Sequence, residues 1–179
     1  MENSELTLDE VRDSEIISVD IMAEELERMV NNKWDKVEKI TEDIHSRDPD
    51  NLVFVACGAS WSVLYSAEYL FNRFSSLPVN AYSALEMVDR DPVGVDENTY
   101  GIVNSYSGTT EDTIEGIKYL KDANVPYLSI GRDPEKPTTE GAESVLTYGS
   151  KSLYLSPLFF VYLLSARLME LRGELPDAS

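Results

Sequence analysis

Histidine and cysteine are all but missing from this chain, which holds one of each, His45 and Cys57, in 179 residues. A single cysteine excludes an internal disulfide, and a single histidine leaves a zinc centre without a ligand set, so neither metal nor cofactor is expected. Positive charge is scarce as well: 15 lysines and arginines stand against 33 acids, a formal net charge of −18. Such a body is repelled by nucleic acid and by anionic lipid, and neither is expected as a partner. Long apolar runs are also lacking. The longest, Leu158 to Leu164, lies between Pro157 and Ser165 and falls far short of the roughly 20 residues that span a bilayer. The opening Met1-Glu2-Asn3-Ser4-Glu5 has neither the basic start nor the apolar stretch of a secretion signal, so the expected location is the cytoplasm.

What is present is an alternation of short apolar strands with helical stripes. Residues 1–18 are acidic and aperiodic and read as a loosely held, flexible arm, followed by one domain over 19–175. From Asp20 to about Arg47, Met22, Leu26, Met29, Val30, Trp34, Val37, Ile40 and Ile44 recur at helical steps, and the helix stops before Asp48-Pro49. His45, near that end, reads as a solvated or capping residue. Strands are expected at Leu52–Cys57, Pro78–Tyr82, Tyr100–Val103, Val125–Ile130 and Ser144–Tyr148. Helices follow the first and third, and a short helix is expected at Thr138–Ala142. The last helix, Pro157 to about Arg172, is apolar on almost every face. A helix of that kind must be covered all round, which points either to a subunit interface, a twofold dimer being the simplest, or to deep burial in the monomer. The pattern predicts an α/β three-layer sandwich built on an open five-stranded parallel sheet.

Two turns carry the chemistry. The first, Gly58-Ala59-Ser60, ends an apolar strand and opens a helix at once. The second, Asn104-Ser105-Tyr106-Ser107-Gly108-Thr109-Thr110, lies between a short strand and a helix marked by Ile114, Ile117 and Leu120. Gly108 permits a backbone that a side chain would penalise, and Thr109 or Thr110 can cap the helix. The N–H groups of a helix start lack intrahelical partners and carry partial positive charge, so hydroxyls gathered there suit a phosphate. An ordinary capped turn is the alternative at both places, with Ser60 as N-cap. Cys57 reads as a small buried strand residue.

The residues Ala56-Cys57-Gly58-Ala59-Ser60 and Ser105-Tyr106-Ser107-Gly108-Thr109-Thr110-Glu111-Asp112-Thr113 resemble the sugar isomerase (SIS) domain. The similarity is greatest to the N-terminal halves of fructoselysine-6-phosphate deglycase and of the isomerase part of glucosamine-6-phosphate synthase. It implies flavodoxin-like strand order and a phosphosugar bound by Ser60, Ser105, Tyr106, Ser107, Gly108 and Thr110. Tyr106 stands where the family often has glutamine, and Ala59 where glucosamine-6-phosphate synthase has threonine. The acid/base residues of these enzymes lie mainly in a second SIS domain. The resemblance therefore implies a phosphosugar-binding domain with an incomplete catalytic set in one chain.

Glu86 is the one weak candidate for a catalytic carboxylate, beside a structural reading. Arg132, at a strand end, could approach a ligand or remain a solvated surface residue. Three functions are weighed: a binding module that pairs with itself or with a second SIS-domain chain, a homodimeric isomerase or deglycase, and an interaction domain with a vestigial pocket.

Overall fold

A computed structural model describes residues 19–149 and 152–175. The proposed arm, 1–18, lies outside the described residues. Eleven elements occur in this order: α1 (Val19–Arg47), β1 (Asn51–Ala56), α2 (Gly58–Phe74), β2 (Val79–Ser83), α3 (Ala84–Arg90), β3 (Thr99–Ser105), α4 (Glu111–Asp122), β4 (Tyr127–Gly131), a 3-10 turn (Pro137–Thr139), β5 (Ser144–Thr147) and α5 (Leu155–Leu171). All four strand pairings are parallel, in the order β2-β1-β3-β4-β5. This is the flavodoxin-like order, with its switch point between β1 and β3.

Burial follows that order. β3 and β4 are buried along their whole length and β1 nearly so, while the edge strands β2 and β5 are mixed. Side chains alternate across the sheet. Phe54, Ile102, Leu128 and Ile130 meet the stripe Met29, Val37, Ile40 and Ile44 of α1 and the inner faces of α2 and α5. Val53, Val55, Val103 and Tyr127 face the other way, onto α3 and α4. Gly116 lets α4 sit against this second face: a Cβ there would stand 2.9 Å from Val55 Cγ1 and 3.1 Å from Ala84 Cβ.

Several sequence-based boundaries move. Asn104 and Ser105 belong to β3, not to the turn after it, because the ladder with β4 continues to Ser105↔Gly131. Cys57 is a half-buried residue past the end of β1, where it takes the N-cap position of α2. Ser60 is therefore not the cap but the third helical residue. The short helix expected at Thr138–Ala142 is a 3-10 turn one residue earlier.

The final helix packs between α1 and α2. It buries Phe160, Val161, Leu164, Leu168 and Met169, and opens to solvent along Tyr162, Ala166 and Glu170. The monomer covers most of this helix, and apolar content alone no longer demands a second subunit. Among the described residues no helix is long and apolar enough to cross a membrane.

Candidate functional site

Since β1 and β3 are neighbours, the turns that follow them stand side by side at the C-terminal edge of the sheet. Each opens a helix, and neither helix start is closed by a side-chain cap: Cys57 caps α2 and Thr110 caps α4 by position only. The first-turn N–H groups of both helices therefore lack side-chain acceptors at one shared edge. The expected cap from Thr109 or Thr110 to the helix is not made.

The loop from Tyr106 to Thr110 is held by its own hydroxyls. Ser105 Oγ accepts from Gly108 N at 3.1 Å, and Ser107 Oγ accepts from Thr109 N at 3.2 Å. Ser107 Oγ and Thr110 Oγ1 lie 3.3 Å apart and share a hydrogen bond. Ser105 is buried, Thr110 half-buried and Ser107 exposed. The six residues singled out from the sequence thus divide by position. Ser105 ties the loop from beneath, Ser107 and Thr110 present hydroxyls above it, and Gly108 makes the bend.

Gly108 has no freedom to be anything else. Its φ of +68° lies in the left-handed region, and a Cβ would stand 2.5 Å from Lys136 Cβ and 2.6 Å from Lys136 Cγ. The segment after β4 lies across the loop here, and Thr138 N donates to Gly108 O at 3.2 Å. That segment also carries Arg132, whose guanidinium sits 5.3 Å from the centroid of the Tyr106 ring. Hydrogen bonds from Arg132 to Asp133 and Tyr106 raise the guanidinium pKa further above its ordinary value. Arg132 therefore lies against Tyr106 of the loop, with its charge shared by Asp133 at 3.0 Å.

Ser60 joins the loop through a residue the sequence reading passed over. Asn104 is fully buried at the end of β3, and its Nδ2 donates to Ser60 O at 3.2 Å. The only sequence signal was an amide standing between apolar Val103 and the serines. Glu86 lies in α3, which starts directly after β2, and its carboxylate pairs with Arg90 at 2.8 Å. An i,i+4 pair on the exposed side of a helix is a local structural contact.

A separate cleft of about 260 Å³ opens at the opposite edge of the sheet, lined by Arg47, Asp48, Asp50, Glu97 and Tyr100 among others. Its acids disfavour an anion, and Arg47 is already paired with Glu143. Among the described residues no group of three or more histidine, cysteine or acidic side chains could hold a metal ion.

Comparison with known proteins shows the family. The chain is 31% identical over 114 residues to the fructosamine deglycase of Bacillus subtilis, covering 63% of this chain and 35% of that protein. It is 28% identical over 141 residues to the fructoselysine 6-phosphate deglycase of Escherichia coli, covering 79% of this chain and 42% of that one. It thus spans well under half the length of both relatives. The C-terminal domain of glucosamine-fructose-6-phosphate aminotransferase from Francisella tularensis shares the fold, with a TM-score of 0.66 at 20% identity over 87% of this chain and 49% of that one. The SIS domain family matches residues 46–165, which include both turns and every strand, and the chain belongs to that family.

Proposed function

We propose that this domain binds a phosphorylated sugar or amino sugar at the C-terminal edge of β1 and β3, in the metabolism of carbohydrate derivatives. The observation that carries the proposal is the pair of helix starts at one edge, both without side-chain caps, with the Ser107 and Thr110 hydroxyls beside the second. Backbone N–H and hydroxyl groups donate to phosphate oxygens at hydrogen-bond range, so the acidity of the whole chain need not oppose binding. In this reading Ser107, Thr110 and the backbone of Tyr106 and Gly108 hold the phosphate, Ser105 shapes the loop, and Ser60 contributes from the first turn. The expected compartment is the cytoplasm.

A sugar phosphate at a hundred times its Kd stabilises by about 2.7 kcal/mol, a Tm rise of about 5–10 °C for a chain of this size. Fructose 6-phosphate and glucosamine 6-phosphate are the first ligands to test. Replacing Ser105 and Ser107 together by alanine is expected to abolish the rise. An undiminished rise in the double variant would remove these serines from the site.

The names of the deglycase relatives favour a second reading, a sugar-phosphate isomerase or fructosamine-6-phosphate deglycase that completes its site by self-association. Proton transfer at a sugar carbon needs a base beside the carbon and an acid beside the oxygen. Glu86 is the weak candidate here, and its ion pair with Arg90 favours the structural role. The reading of a homodimer, or of pairing with a second SIS-domain chain, draws support from an apolar groove of about 200 Å³ between α2 and α5, lined by Leu70, Phe74, Tyr162, Met169 and Leu175. Turnover of fructoselysine 6-phosphate by the purified chain, lost in Glu86→Gln, would favour the enzyme. Binding without turnover would favour the binding module.

A further inference from the structure

Among the described residues of this edge, Asn104 has a buried side chain whose hydrogen bonding is incomplete and whose orientation is nonetheless fixed. It is 0% exposed, and its Nδ2 donates to Ser60 O at 3.2 Å. Turning the amide over would set Oδ1 against the Ser60 carbonyl, acceptor facing acceptor, so the observed orientation is the one that bonds. Oδ1 is left buried with no hydrogen-bond partner among the described residues. An orphaned buried acceptor costs about 1–3 kcal/mol, and folded chains seldom leave one without a reason.

The position of the orphan gives the reason its chemistry. Along β3, Ile102 and Asn104 fall on the same face of the sheet, the one covered by α2. The amide consequently sits beneath the first turn of α2, one residue before Ser105 and its loop, at the switch point of the sheet. The N–H groups of the helix starts can only donate, and the hydroxyls of Ser107 and Thr110 can donate as well as accept. A phosphate monoester dianion has no proton to give, so a carboxamide oxygen would repel it. A hydroxyl or amine on the rest of the ligand can satisfy Asn104 Oδ1 where the phosphate cannot.

We infer that Asn104 is a specificity-determining residue, whose Oδ1 accepts a hydrogen bond from an O–H or N–H of the carbon skeleton of a phosphorylated polyol or amino sugar. This rests on the phosphosugar reading above and divides the labour within it. Donors at the two helix starts hold the phosphate, and one buried acceptor distinguishes a sugar from a bare phosphate ester. Leucine at this position keeps the volume and loses both polar atoms, and the sequence pattern around Val103 would accept it.

The test compares two ligands sharing one head group, fructose 6-phosphate and methyl phosphate, by titration calorimetry on the 179-residue chain and on Asn104→Leu. The substitution is expected to weaken fructose 6-phosphate five- to tenfold and leave methyl phosphate within twofold. An equal loss for both would show that Asn104 acts only by placing Ser60. No loss for either would show that the acceptor is satisfied without ligand. Either result overturns the inference. Should the variant fail to fold, the unsubstituted protein still decides, because fructose 6-phosphate must bind at least fivefold more tightly than methyl phosphate. If neither ligand binds the unsubstituted protein, it is the phosphosugar reading itself that fails.

Discussion

At Gly108 a backbone angle and a packing contact make the same demand. Left-handed φ disfavours any Cβ, and the side chain of Lys136 already occupies the space a Cβ would need. Gly108→Ala is expected to destabilise the chain by about 1–3 kcal/mol in urea denaturation and to remove the phosphosugar-induced rise in Tm. A variant of unchanged stability would mean that the loop is free to move away from Lys136. The sequence disclosed the glycine and the hydroxyls, because small residues between a strand and a helix have few other uses. It did not disclose what holds them. Lys136 and Thr138 reach the loop from the far side of β4, and no periodicity marks a contact made by an irregular segment. Asn104 was hidden differently. An amide at a strand end looks like the first residue of a turn, and only the ladder to β4 shows it to be inside the sheet.

Among the elements, the end of α5 shows how a helix apolar on most faces is accommodated by one chain. α1 and α2 enclose it, and Glu174, just past its end, fastens the chain to the loop after α2. Its carboxylate accepts hydrogen bonds from the side chains of Ser75 and Ser76, from Ser76 N at 3.1 Å and from Arg172 Nε at 3.3 Å. Burial alone would raise its pKa, but these donors outweigh it and hold the carboxyl at about 2. A depressed folded pKa stabilises above the ordinary carboxylate range and loses that contribution as pH falls towards the folded value. Glu174→Gln is expected to cost about 1 kcal/mol at pH 7, and the gap from the unsubstituted protein should close between about pH 4.5 and pH 2. A gap that stays constant through that window would assign the loss to shape instead of charge. The helix itself was legible from its apolar run. Its covering was not, since which neighbours enclose a terminal helix depends on strand order, and strand order is settled by long-range pairing.

For the molecule as a whole, the net charge of −18 is the property any anionic ligand must meet first. Screening relieves self-repulsion, so Tm at pH 7 is expected to rise between low and physiological salt. If uncharged donors hold the phosphate, affinity for a sugar phosphate should change by less than about threefold between about 0.05 and 0.5 M salt. A steep weakening would instead assign the phosphate to Arg132 and Lys136. The alternation of strands and helices was enough to anticipate the parallel sheet, whereas the adjacency of its first and third strands was implied only by the family resemblance. The most direct test of the central claim is the map of backbone amide shifts as fructose 6-phosphate is titrated into the isotopically labelled chain. The account predicts the largest changes at residues 58–61 and 106–113, where the two helices begin. Changes gathered instead around Arg47, Glu97 and Tyr100, at the other edge of the sheet, would contradict it.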